Sequence, residues 1–285
     1  MRRVSVWFSS ALLVGAGVLA GGAQAETTKP AEHKKPPAHH VPPKHETTKH
    51  AQTKPKPKAA APAAAVAPEA KSEDLYGGDG VNRWLPKAEK GDIFSQYVLG
   101  HMYCVGEGVA KDSVQGVKWY QRAAEQGYAP GQLALGTLYY SGDGVKQDYA
   151  QAAKWFQMAA NQGYSRAQNN LAALYLSGQG VPQDDKQALK WYRAAANQGF
   201  QPAQYNLGMM YLDGRGVAKA DTVAAYGLLR PLAEVGNPQA VSVIKEISAK
   251  MSPAQITEGQ ALAEKVRAKN RLNAALDDYE KVASR

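Results

Sequence analysis

The sequence predicts an all-α protein: a right-handed α-solenoid of tandem helix–turn–helix repeats, preceded by a disordered tail. Three observations carry this. Several residue types recur in phase every 36 residues between about positions 82 and 250. Within each period the apolar residues fall at helical spacing in two blocks, separated by a glycine loop. Between residue 26 and about residue 70, ahead of the repeats, the chain holds almost nothing to bury.

In chain order, residues 1–25 have the form of an export leader. Arg2 and Arg3 give a positive start, Val4 to Ala20 are nearly all apolar or small, and Ala23-Gln24-Ala25 fits the small-x-small cleavage rule. The apolar run is shorter than the roughly 20 residues of a spanning helix, so cleavage near Ala25 is favoured over an uncleaved anchor. The expected location is the periplasm or the exterior. The sole cysteine, Cys104, has no partner for an intramolecular disulfide, which leaves packing to supply stability.

Residues 26–75 are mostly Lys, Pro, Ala, His and Thr. Pairs such as Pro36-Pro37 and the run Lys54-Pro55-Lys56-Pro57-Lys58 favour extended polyproline II. At about 3.1 Å per residue, about 45 residues of it reach on the order of 140 Å. Of the net charge of +9, the larger share lies early: residues 1–75 carry 11 Lys/Arg against 6 Asp/Glu. Basic charge in a Pro-rich tail does not make a nucleic-acid footprint. It suits loose contact with peptidoglycan or other anionic envelope polymers. Five of the six histidines (His33, His39, His40, His45 and His50) lie here. A metal-binding tail is the competing reading, but no structural zinc spacing is present. No metal or cofactor is expected.

A truncated leading helix is expected over residues 76–91, with Trp84 in its aromatic position. Four repeats follow, at 92–127, 128–163, 164–199 and 200–236. Leu99, Leu135, Leu171 and Leu207 keep the step of 36, as do Tyr103, Tyr139, Tyr175 and Tyr211, and Trp119, Trp155 and Trp191. In each first helix a small residue (Ser95, Gly131, Ala167, Ala203) precedes the leucine by four and the tyrosine by eight, which is one face of a helix. Gly100, Gly136, Ala172 and Gly208 sit beside the leucine and permit close approach of a neighbour. Gly-x-Gly-Val loops end the first helices at Gly106, Gly142, Gly178 and Gly214. Asp112, Asp148, Asp184 and Asp221 then stand where an N-cap carboxylate is wanted. The second helices bury the tryptophan and an Ala-Ala pair. The fourth repeat has Leu228 in place of tryptophan. The outer faces of both end units are therefore expected to need no neighbour. Over 237–285 capping helices and a tail are expected: Ser252-Pro253-Ala254-Gln255 forms a capping box that starts a helix running to about Arg267, which closes the C-terminal end.

The motifs Ala-Ala-x-Gln-Gly-Tyr at 123–128, Leu-Gly-x-x-Tyr at 135–139 and Gly-x-Gly-Val-x-x-Asp at 142–148 resemble the Sel-1-like repeat family, a branch of the tetratricopeptide superfamily. The resemblance covers more than half of the chain and is specific for fold, not chemistry. It implies an adaptor in protein complexes. Exported bacterial members of the family are linked to envelope assembly, signalling or host interaction.

If positions 95, 99 and 103 face the core, positions 97, 101 and 104 point the other way, and in a stacked array those first helices line the concave surface. The row is Tyr97, His101 and Cys104, then Leu133, Thr137 and Tyr140, then Asn169, Ala173 and Leu176, then Tyr205, Met209 and Leu212. A solvated helix face carries Lys and Glu. This row carries aromatic, aliphatic and amide side chains, the composition of a binding patch, unless some of them pack against adjacent repeats. A partner here is expected to be an extended segment or a helix.

Catalytic candidates are few. His101 is the only histidine after the tail; it lies three residues from Cys104 on one helix, with no third group to orient the pair. Ser242-Val243-Ile244-Lys245 has the Ser-x-x-Lys spacing of penicillin-recognising enzymes but lacks their partner motifs. The expected function is thus a non-catalytic envelope scaffold holding a protein or peptide in its groove. A peptidoglycan-associated protein, or a modulator of a cell-wall enzyme, is the alternative, and a penicillin-binding hydrolase ranks behind both.

Overall fold

A computed structural model describes residues 80–267 and 271–283, and every regular element among them is an α-helix. The leader and the tail with its histidines lie outside the described residues, as do residues 76–79 of the span expected for the leading helix. That helix is α1 (Val81–Glu89), with Gly80 at its N-cap. Four hairpins follow: α2 (Ile93–Val105) with α3 (Ser113–Glu125), α4 (Ala129–Ser141) with α5 (Tyr149–Asn161), α6 (Ser165–Ser177) with α7 (Asp185–Asn197), and α8 (Gln201–Asp213) with α9 (Thr222–Glu234). Each helix packs on the one before it and the one after it, the nearest-neighbour stacking of a solenoid. The chain ends in α10 (Pro238–Ser248), α11 (Pro253–Val266) and α12 (Leu272–Ala283).

The expected local signals act where they were read. Asp112, Asp148, Asp184 and Asp221 are the N-caps of the second helices, and each carboxylate accepts one or two backbone N–H groups of the first turn. Ser252 and Gln255 close the capping box of α11, which runs to Val266 with Arg267 as its C-cap. Leu99, Leu135, Leu171 and Leu207 are buried, and so are the three Ala-Ala pairs. Gly136 lies under the Phe156 ring, where a Cβ would stand 2.7 Å from two ring carbons, so the missing side chain lets α4 and α5 close at that level.

Two expectations need correction. The burial of the first helices is wider than one face. Met102, Leu138, Leu174 and Met210 are buried, whereas Tyr103, Tyr139 and Tyr175 are only half-buried. A first helix lies between the second helix of its own repeat and that of the repeat before, so two sides are covered. The outer face of the fourth repeat also has neighbours. Leu228 is fully buried, and α11 packs on α9 with Leu262 against Gly227 and Tyr226 against Gly259.

A ladder of amides, not anticipated from the sequence, ties the repeats together. Gln96, Gln132 and Gln168 are buried on the first helices, and each donates from Nε2 to an alanine carbonyl of the preceding helix (Ala88, Ala124, Ala160) at 3.0, 3.1 and 3.2 Å. Each Oε1 in turn accepts from the C-cap glutamine of the following second helix: Gln126 at 2.7 Å, and Gln162 and Gln198 at 2.8 Å. Every rung therefore joins three successive helices. A buried amide that loses its partner costs about 1–3 kcal/mol. Gln132→Leu removes one donor to the Ala124 carbonyl, which keeps the Gly127 N–H at 3.0 Å, and the acceptor of the exposed Gln162 amide, so it is expected to lower stability by about 1–2 kcal/mol. Urea unfolding of parent and variant measures this, and an unchanged midpoint would mean the rung contributes nothing.

Candidate functional site

The face formed by the first helices begins at an aromatic cluster. Tyr97 on α2 packs its ring 5.5 Å from Tyr120 of α3 and 5.3 Å, edge-on, from Tyr128 at the start of α4. Burial raises the Tyr97 hydroxyl above its ordinary pKa, with Tyr164 adding to the rise and Arg166 opposing it. Tyr97 thus reaches along the array towards the third repeat. Tyr128, whose hydroxyl burial pushes up to about 12, belongs to a set that the sequence reading did not single out. Tyr128, Tyr164 and Phe200 are the N-caps of α4, α6 and α8, and none caps its helix through its side chain. The two end units have Asp92 and Asn237 at that position, and both cap in the usual way. Inner repeats replace a capping hydrogen bond by an aromatic ring. The signal was legible in the step of 36 residues from Gly127-Tyr128 to Gly163-Tyr164 to Gly199-Phe200.

The rest of the row divides by depth. His101 is half-buried, and desolvation lowers its pKa against the pull of Glu107, which keeps the ring neutral near pH 7. Thr137 is half-buried and donates to the Leu133 carbonyl at 2.9 Å. Tyr140 is half-buried with its ring 5.2 Å from that of Tyr149. Tyr205, Met209 and Leu212 are half-buried at the far end. By contrast Leu133, Asn169, Ala173 and Leu176 are buried, at 8, 4, 4 and 8% exposure. They act in packing between repeats and do not line an open surface. Asn169 still shapes the middle of the face: it accepts from Asn206 at 3.2 Å and donates to Asn170 at 3.3 Å. The contactable row is therefore Tyr97, His101, Thr137, Tyr140, Tyr205 and Met209, aromatic and neutral, with an amide cluster midway.

The two catalytic candidates are poorly placed for chemistry. Cys104 is half-buried, and desolvation pushes its thiol up to about 11. With the imidazole shifted down and the thiol up, both groups move away from a thiolate–imidazolium pair. Ser242 and Lys245 are exposed on α10, away from any enclosed site that could desolvate the lysine. Among the described residues no group of three or more His, Cys, Asp or Glu side chains is placed to hold a metal, and no helix is long and apolar enough to cross a membrane.

Comparison with protein families matches the Sel1 repeat to residues 93–128, 129–164, 165–200 and 201–237. Among solved structures, the chain is similar to a protective antigen of uropathogenic Escherichia coli strains that displays an SLR fold. The identity is 40% and the TM-score 0.55, over 57% of this chain and 35% of that one, so this chain spans about a third of the Escherichia coli protein. It is also similar to a Sel1 repeat protein from Oxalobacter formigenes, at 30% identity and a TM-score of 0.55, over 64% of this chain and 75% of that one. Comparison with curated proteins finds no match.

Proposed function

The chain belongs to the Sel1 repeat family, whose members generally act as protein-interaction scaffolds and are typically non-catalytic, and we propose that it is a scaffold of the bacterial envelope holding one protein segment along its first helices. The observation that carries this reading is the row itself. Tyr97, Tyr140, Tyr205 and Met209 stay partly exposed on the first helices of the first, second and fourth repeats, with no formal charge among them. Large aromatic and methionine side chains on an uncharged, partly desolvated face are the material of interface cores. The segment is extended or helical, because the face runs the length of four repeats and a globular partner would touch only part of it. The leader-like start and the Lys/Pro tail support periplasmic or secreted placement. The same basic tail supports a second reading, contact with cell-wall polymers; co-sedimentation with sacculi that survives deletion of residues 26–75 would favour it.

Tyr205 is the position from which to test the scaffold reading. Tyr97 packs on Tyr120 and Tyr128, so removing it also disturbs the fold. A photo-cross-linking side chain at position 205 is expected to give discrete protein adducts in living cells. The same group at Val114, which is 53% exposed on a second helix, should give none. Equal adducts from both positions, or none from 205, would sink the proposal.

A further inference from the structure

The amide ladder stops one rung short, and a cavity stands where the next amide belongs. In the first three repeats the C-cap glutamine amide meets two acceptors in common. One is the first-helix glutamine Oε1. The other is the carbonyl four residues back, at Arg122 (3.5 Å), Met158 (3.5 Å) and Ala194 (3.3 Å). In the first repeat it also meets the Gly91 carbonyl at 3.3 Å. In the fourth repeat, one residue longer, the register brings Val235 to the C-cap. Its backbone, at φ −87° and ψ 11°, stays close to the −82° and 1° of Gln198. Val235 is 69% exposed and has no donor to give.

The acceptors remain. Gln204, Gly199 and Pro231, the counterparts of the three groups above, all line a cavity of about 380 Å³ that is closed on its apolar side by Leu232, Val266 and Leu272. Gln204 is only 8% exposed. Without a rung to join, its Nε2 turns from the preceding helix to the following one and donates to the Leu228 carbonyl at 2.8 Å. Among the described residues nothing donates to its Oε1. On the rim, Glu234 is engaged by Arg230 and Arg267, and Arg267 is held by Glu234 and Glu264, so both charges in the lining are already paired.

We propose that this cavity is a receptor for a primary carboxamide, the group at the end of a glutamine side chain, presented by a partner segment. The open acceptor is Gln204 Oε1, which selects a donor, and a carboxylate has no proton to give it. An ammonium would lose its hydration with no unpaired carboxylate to replace it. A neutral NH₂ group satisfies both constraints, as it does in the three rungs below. The site is independent of the first-helix face.

The test is a titration of the full chain with N-acetyl-glutamine-N-methylamide, followed by amide NMR. Saturable shifts at the Gln204 side chain and Gly199 are expected. The matching capped glutamate should not produce them. Val235→Gln should occupy the site from within: its unfolding midpoint rises and the shifts on adding the probe disappear. The proposal is overturned by a flat titration of the parent, by equal shifts with the glutamate derivative, or by shifts that persist in the variant.

Discussion

Gly180→Ala is expected to destabilise the protein by about 3–5 kcal/mol, several times the effect of the same change at Gly163. Both residues have positive φ, +71° and +85°, so both substitutions meet the left-handed penalty of about 1–2 kcal/mol. They differ in what surrounds them. A Cβ on Gly163 meets nothing within 4 Å, whereas on Gly180 it would lie 2.2 Å from the carbonyl carbon and oxygen of Tyr149 and 2.6 Å from the Ala150 nitrogen. These are backbone atoms of the first turn of α5, one repeat earlier, and they cannot rotate away. Gly144 meets Ser113, and Gly216 meets Asp185, in the same manner. The second loop glycine thus serves as the seat on which consecutive repeats close, in addition to its role in turning the chain. Urea unfolding of the two variants side by side measures the difference, and equal losses would show that φ alone accounts for the conservation of spacing within the chain.

That distinction marks how far the sequence could be read. Period, helix count per repeat, caps and loop glycines were all legible, because each depends on residues within a few positions of one another and recurs. The φ requirement of Gly180 is local and was visible; its contact with Tyr149 is 31 positions away in sequence and was not. The glutamine ladder was present in the text as Gln96, Gln132, Gln168 and Gln204, but an amide on a helix reads equally well as a surface residue until its partners are in place. The row of contact residues suffered from the opposite fault. A single helical wheel assumes one buried side, and a helix sandwiched between two others buries two, which took Leu133, Asn169 and Ala173 out of the open row. Nothing periodic announced α12. It packs on α7 and α11, and its partners Arg193, Tyr211 and Asp221 have no equivalent pairing in earlier repeats.

Those contacts lead to the second large effect: removal of residues 251–285 is expected to unfold the fourth repeat while the first two remain folded. The truncation takes away Leu262, Val266, Leu272 and Leu276, all between 0 and 5% exposed, and uncovers Tyr226 and Leu228. At about 1.5–3 kcal/mol for each buried aliphatic side chain, the gross loss is on the order of 6–12 kcal/mol. Polar ties go with it. Arg193 loses Asp277 and Glu280, Tyr211 loses Glu280, and the Asp221 cap loses the Tyr279 hydroxyl that donates to it at 3.0 and 3.1 Å. Because each repeat packs chiefly on its neighbours, the damage should spread inward by steps. Hydrogen exchange resolves this: peptides from 201–234 should lose protection, and those from 129–161 should keep it. Tyr205 and Met209 lie in the repeat that loosens, so cross-linking from position 205 should fall in parallel even though no residue of the face has been changed. If 201–234 keeps its protection after truncation, the array closes itself and the last two helices are an addition to a self-sufficient solenoid. If protection is lost, the C-terminal helices are the structural end-piece that keeps the far end of the contact row in place.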